Sequence, residues 1–281
     1  MTKLALDDKL IKRIEELSPK ERQLIEKQLG TVDRTEILKH RHHYPKNHAK
    51  FGYFCDPHVG EKQFKENLWV KMCHTFMKEG ITNVYGGGDN LEGMSGRDGQ
   101  IYDLTHIGFS AQAGYLEQLV KAYPSLNFYC IDGNHDGWYA IRNNSGIIVG
   151  EELEKRCNNW HFLGSMEADV ELAPNVTLKL FHANDGSAYA LSYKLQKLIE
   201  SFTGGEKPSI VIDAHYHKHL TAWIRNVFGI EGGCLCDQTR YMRGKKLAAS
   251  MGFGIMDVWY DKKGIERVDH TWFPYYSRGT E

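Results

Sequence analysis

The sequence predicts an α/β fold on three observations. Between residues 51 and 131, short apolar runs alternate with stretches whose apolar residues recur every three or four positions, the pattern of parallel strands joined by helices. Beyond residue 220 strand-like runs separated by Gly232-Gly233 and Gly264 predict a second, antiparallel-leaning sheet. The 281 residues are 41% hydrophobic and 25% charged, an ordinary globular mix that excludes a disordered or low-complexity chain and suits one large domain or two small ones.

The elements follow in order. Ser18-Pro19-Lys20-Glu21 is a capping box with proline at the first helical position, and Gly30 is placed to end that helix. Asp33 and Glu36 repeat the box before Ile37 and Leu38. Residues 1–48 are therefore expected to be a helical N-terminal extension and basic linker, and 49–281 the main domain. The linker 39–50 holds four basic residues and His40, His42, His43 and His48, without an acid. Residues 51–55 read as a strand. Phe64, Leu68, Met72 and Phe76 mark one buried helix face that Gly80 closes. Residues 81–85 (strand), 110–122 (helix), 126–131 (strand), 176–181 (strand), 188–202 (helix) and 210–212 (strand) continue the alternation.

Net charge is −1, yet residues 1–50 carry 12 Lys+Arg against 8 Asp+Glu, a balance of +4 that leaves −5 on the remainder. The basic end is read as an auxiliary nucleic-acid contact and the acidic remainder as the holder of bound metal. No apolar run approaches a membrane span, and the first ten residues already mix acids and bases, so a cytoplasmic protein without membrane association is expected. Six cysteines in a chain this long are expected to be reduced, with Cys234 and Cys236 packed rather than zinc-bound.

A metal-capable residue follows each of five strands: Asp56-Pro57-His58, Gly88-Asp89-Asn90-Leu91-Glu92, Gly133-Asn134-His135-Asp136, His182, and His215-Tyr216-His217. Ligands of open α/β sheets bind beyond the carboxyl ends of the strands, so the five segments should converge. Alternating D-x-H and H-x-H residues project alike from an extended backbone, and oxygen and imidazole donors without thiolate suit Mn, Fe or Zn better than a structural cysteine site.

In this order the motifs resemble the calcineurin-like metallophosphoesterase superfamily over roughly residues 51–217. The resemblance implies a four-layered α/β/β/α sandwich, with the strand-rich tail supplying its second sheet. It places Asp56, His58 and His217 on one divalent ion and Asn134, His182 and His215 on another, with Asp89 between them and His135 as the acid that protonates the leaving oxygen. Two cations about 3.5–4 Å apart hold a hydroxide for in-line attack on a phosphoester. Manganese is the expected metal, with Fe, Zn, Ni or Mg as alternatives. Ala214 stands where the family has glycine and Glu92 where it has aspartate, which leaves the donors intact and touches loop geometry. Glu92 and Asp136 are alternative orienters of His135, Arg97 a candidate phosphate contact, and the amides after His182 a candidate helix-start anion site. A looser similarity to phage-borne and archaeal members grouped with DNA-repair nucleases favours a phosphodiesterase acting on nucleic acid. The alternatives are a phosphomonoesterase on phosphoprotein or small nucleotide esters, and a catalytically inert nucleic-acid-binding subunit.

Overall fold

The computed structural model describes residues 39–204 and 207–276. The N-terminal helices expected before residue 39 lie outside the described residues.

Strands β1 (Lys39–Arg41), β2 (His48–Phe54), β3 (Asn83–Gly86), β4 (Asn127–Asp132), β5 (Trp160–Ser165), β6 (Glu167–Ala173), β7 (Val176–His182), β8 (Ile210–Ala214), β9 (His219–Ile224), β10 (Val227–Gly232), β11 (Gly252–Asp261) and β12 (Gly264–Pro274) form two six-stranded sheets. One runs β12-β11-β2-β3-β4-β5 and the other β1-β6-β7-β8-β10-β9. The helices are α1 (Glu66–Lys78), α2 (Phe109–Lys121), α3 (Asn134–Ile141), α4 (Val149–Arg156), α5 (Tyr193–Ser201) and α6 (Arg240–Lys245).

Side-chain alternation along β2 sets the layering. Ala49, Phe51 and Tyr53 point between the sheets, where they meet Leu178, Leu180, Ile210, Ile212 and Ile230 of the other sheet. Phe54 points the opposite way into the helical face, against Leu68, Trp69, Met72 and Phe76 of α1. Gly52 shares that face because the Phe76 ring occupies the space a side chain would need. On the far face of the second sheet, Leu195 and Ile199 of α5 cover Val211 and Val227. The result is the four-layered α/β/β/α sandwich.

Two expectations are corrected. The tail does not form a sheet of its own: β9 and β10 complete the second sheet beside β8, while β11 and β12 extend the first, with Gly254 opposite Tyr53. Residues 39–48 are not a linker. β1 pairs in parallel with β6, and the His42 ring packs at a tilt 4.2 Å from that of Tyr129 and bonds the Tyr85 hydroxyl at 2.9 Å. The whole +4 excess of the first 50 residues resides in Lys39, Arg41, Lys46 and Lys50, since residues 1–38 carry 8 basic and 8 acidic groups. Arg41 faces Glu171 at 3.7 Å and Lys50 faces Glu79 at 3.0 Å, so two of those four charges are engaged on the body itself. All six cysteines are buried and free, as expected.

Burial pushes His42, His219 and His270 down from an ordinary 6.5 to about 4. The unfolded chain takes these protons near pH 6.5 and the folded chain does not, so each contributes stability above pH 6.5 that is lost as pH falls toward 4. The thermal midpoint should therefore drop between pH 7 and pH 4.5, and His42→Gln and His219→Gln should each shrink that drop, as scanning calorimetry at the two pH values would show.

Candidate metal centre

β2, β3 and β4 are parallel neighbours in one sheet and β7 and β8 in the other, so all five motif segments leave carboxyl ends of strands at one edge of the sandwich. The segments are laced by backbone bonds: Asp56 N donates to Gly88 O at 3.2 Å and His58 N to Asp89 O at 2.9 Å. Gly88 has φ +95°, and a Cβ there would press on the Gly133 backbone and His182 at 2.8 Å. Gly133 lies so close to the Asp89 carboxylate that any side chain would collide with it.

Asp56, His58 and His217 form one group of donors and Asp89, His182 and His215 another, each within 4.8 Å of its fellows. Asn134 joins the second group, its Oδ1 lying 3.0 Å from His182 Nε2. Asp89 Oδ2 lies 3.3 Å from His182 Nε2 and 3.7 Å from His58 Nε2, and so stands between the groups. All seven sequence-derived residues meet here.

Their hydrogen bonds leave the free nitrogens pointing inward. His182 Nδ1 donates to Gly87 O at 2.8 Å, His215 Nε2 to Asp185 O at 2.9 Å and His58 Nδ1 to Glu92 at 2.9 Å. His182 Nε2 then presents its lone pair to two oxygens, and His58 Nε2 faces His217 Nε2 at 3.0 Å. Such contacts repel until a cation or proton lies between them. Outer partners of this kind are what fix the tautomer of metal-bound imidazoles, and the donor set, carboxylate, amide and imidazole, fits divalent ions.

Electrostatics agree. Asp56 and Asp89 are 0% and 1% exposed. Burial works against both charges, yet imidazoles, His217 for Asp56 and His182 for Asp89, hold their pKa values down. Burial likewise opposes charge on His182, but Asp89 outweighs it and lifts the ring to about 9. The backbone carries a matching signature: Asp56, His58, Asp89, His215 and His217 all have φ between 48° and 88°. Left-handed backbone costs about 1–2 kcal/mol per non-glycine residue and concentrates at functional sites, although aspartate tolerates it better than most.

The third group, His58, Glu92 and His135, has a different character. His135 Nδ1 donates to Glu92 O at 2.8 Å, and the Glu92 carboxylate is held down to about 2 despite burial, chiefly by His135. This is a hydrogen-bonded support: Glu92 orients both His58 and His135 and leaves His135 Nε2 free. Asp136 does not orient His135; its carboxylate accepts from the backbone N–H of Asn90, Leu91 and Gly133 and pins two motif loops together. The Ala214 methyl is tolerated because it faces Gly87, where a Cβ would lie 3.0 Å from it.

The helix expected over 188–202 starts only at Tyr193, so no helix-start amides follow His182 into the site. Asp185 ties that segment down as a loop, accepting from the Tyr216 hydroxyl and from Lys194. A cavity of about 510 Å³ opens over the donors, lined also by Arg97, Trp138, Arg142, Tyr216 and Tyr241. Arg97, the expected phosphate contact, is there and pairs with Asp103 at 3.2 Å. Trp138, three positions after His135 on α3, stacks on it at 3.8 Å; the sequence carries no sign of this, because α3 is too short to show a repeating stripe.

The layering and the motif segments at the strand ends give the fold that the resemblance implied, the α/β/β/α sandwich of calcineurin-like metallophosphoesterases. No family model and no curated protein matches the chain. Similar solved structures include an archaeal phosphodiesterase (17% identity, 80% of this chain and 100% of that one, TM-score 0.44). Others are a predicted phosphoesterase of Streptococcus pneumoniae (12%, 81% and 98%, 0.40) and Vacuolar Protein Sorting 29 of Cryptosporidium parvum (14%, 82% and 100%, 0.40). Likenesses this distant carry no weight for the site, which rests on the geometry above.

Mn²⁺ at about 100 times its Kd should stabilise the fold by about 2.7 kcal/mol, or raise the unfolding temperature by about 5–10 °C. Asp89→Asn should remove most of that rise in a thermal-shift titration. An unchanged rise in the variant would exclude Asp89 as a ligand.

Proposed function

We propose that the protein is a metal-dependent phosphodiesterase whose substrate is nucleic acid. The observation that supports this best is the pair of donor groups with Asp89 between them, beneath a cavity lined by His135, whose Nδ1 is held by the Glu92 carbonyl and whose Nε2 stands 4.0 Å from Asp89 Oδ2. Asp56, His58 and His217 would hold one divalent ion, and Asn134, His182 and His215 the other, with Asp89 serving both. Manganese fits this mixed oxygen and nitrogen set. Bound there, such ions supply Lewis acidity toward phosphoryl oxygens and acidify the attacking water.

The remaining work falls to the chain itself. His135, fixed through Nδ1 by the Glu92 carbonyl, offers Nε2 to the leaving oxygen. Burial opposes a charge on this ring, and the Asp89 and Glu92 carboxylates outweigh it and raise its pKa to about 9 in the ion-free chain. Arg97 and Arg142 line the cavity and meet the charge of the substrate phosphate. A complete donor set with an oriented acid disfavours an inert binding subunit. No helix among the described residues is long and apolar enough to cross a membrane.

Because a nucleotide hydroxyl is a poor leaving group and nitrophenolate a good one, His135→Asn should lose about 10²–10⁴-fold on nucleic acid and far less on bis-p-nitrophenyl phosphate. Rate ratios under saturating Mn²⁺ measure this, and equal losses on both substrates would remove His135 as the acid.

A further inference from the structure

Two arginine–aromatic pairs stand in the cavity wall outside the donor groups. The Arg97 guanidinium lies 5.0 Å from the Tyr241 ring centre, and that of Arg142 lies 4.5 Å from Trp138. The two pairs come from opposite ends of the chain's topology, the loop before α2 with α6, and α3, yet both border the cavity that holds His135. Tyr241 is half exposed. Arg142 is also exposed.

Arg97, Asp103 and Tyr241 also belong to a second depression of about 660 Å³ that carries Arg240 and Lys245, so one groove leads from the donors to the surface of α6. Asp98 and Asp103 are the acids of that depression, and Asp103 is paired with Arg97. Residues 240–246 hold four basic groups and no acid, and no ion pair engages Arg240 or Lys245 among the described residues. A ring backed by guanidinium and a guanidinium backed by a ring, followed by unneutralised cations, match the alternation of base and phosphate along an unpaired strand.

We propose that the Tyr241 ring, backed by Arg97, and the exposed Arg142 guanidinium, backed by the Trp138 ring that stacks on His135, are stacking platforms for bases of a single-stranded polynucleotide whose backbone leaves the cavity over Arg240 and Lys245. This rests on the phosphodiesterase reading and names its substrate class. A single strand is required because the donors are buried at the floor of a cavity of small-ligand size, which a duplex does not enter, and because stacking needs bases already unpaired.

The test uses the full chain with Mn²⁺ and a labelled phosphorothioate oligothymidylate, read by fluorescence anisotropy, beside a duplex of equal length. One stacked base contributes about 1–3 kcal/mol, so Tyr241→Ala should weaken single-strand binding about 5- to 150-fold while Tyr241→Phe retains it. Arg240→Ala combined with Lys245→Ala should lower the slope of log K against log salt by about 1.4. Unchanged affinity in Tyr241→Ala, an unchanged salt slope in the double variant, or a duplex bound as tightly as the single strand overturns the proposal. Mn²⁺-dependent hydrolysis of bis-p-nitrophenyl phosphate by the wild-type chain is measured in parallel. Hydrolysis with binding that ignores Tyr241 removes the platforms alone, whereas no hydrolysis removes the phosphodiesterase reading and the proposal with it.

Discussion

Two carboxylates shut away from water, Asp56 and Asp89, impose the constraint on which the rest of the site depends. An uncompensated charge at that depth costs several kcal/mol, and the surrounding structure answers it on every side. His215 N donates to both Asp56 oxygens at 3.0 and 3.1 Å, and His135 N donates to Asp89 Oδ1 at 2.8 Å. Imidazoles of His58 and His182 crowd Asp89 Oδ2, and that of His217 crowds Asp56 Oδ1. Five left-handed residues at about 1–2 kcal/mol each add strain comparable with the whole net stability of an ordinary domain, about 5–15 kcal/mol. An arrangement so costly without a ligand is what a tightly bound cation would offset.

The sandwich supplies the rigidity that this needs. Asp56, Asp89 and Asn134 follow three adjacent parallel strands of one sheet, and His182 and His215 follow two of the other, so the spacing of the donors across the site is set by strand pairing and by the packing of Phe51, Tyr53, Tyr85, Leu180 and Ile212 between the sheets. Glycines 88 and 133 let the two sheets' loops approach within van der Waals contact of the donors. Glu92 couples the centre to His135, since one side chain bonds His58 and its own carbonyl holds the acid.

Much of this was legible in the sequence because each donor is adjacent in sequence to the strand that places it. The apolar run before Asp56 and the glycines before Asp89 and Asn134 encode both strand and turn locally. Pairings made over long separations were not legible: β11 lies beside β2 across some 200 residues, so the tail read as a sheet of its own. The charges of residues 39–50 read as a basic linker because the acids that engage two of them lie outside the segment, Glu79 against Lys50 and Glu171 against Arg41. Helices α3 and α4 escaped notice because each is eight residues long, too short for an apolar stripe to repeat. The Arg97–Tyr241 contact joins residues more than 140 positions apart and exists only in the fold.

The position of bound metal decides the roles of these donors. Anomalous diffraction at the manganese edge from crystals grown with Mn²⁺ tests it most directly. Two peaks are expected, one among Asp56, His58 and His217 and one among Asn134, His182 and His215, with Asp89 reaching both and His135 Nε2 bound to neither. A single peak held by His58, Glu92 and His135, or no peak at the strand ends, would contradict it.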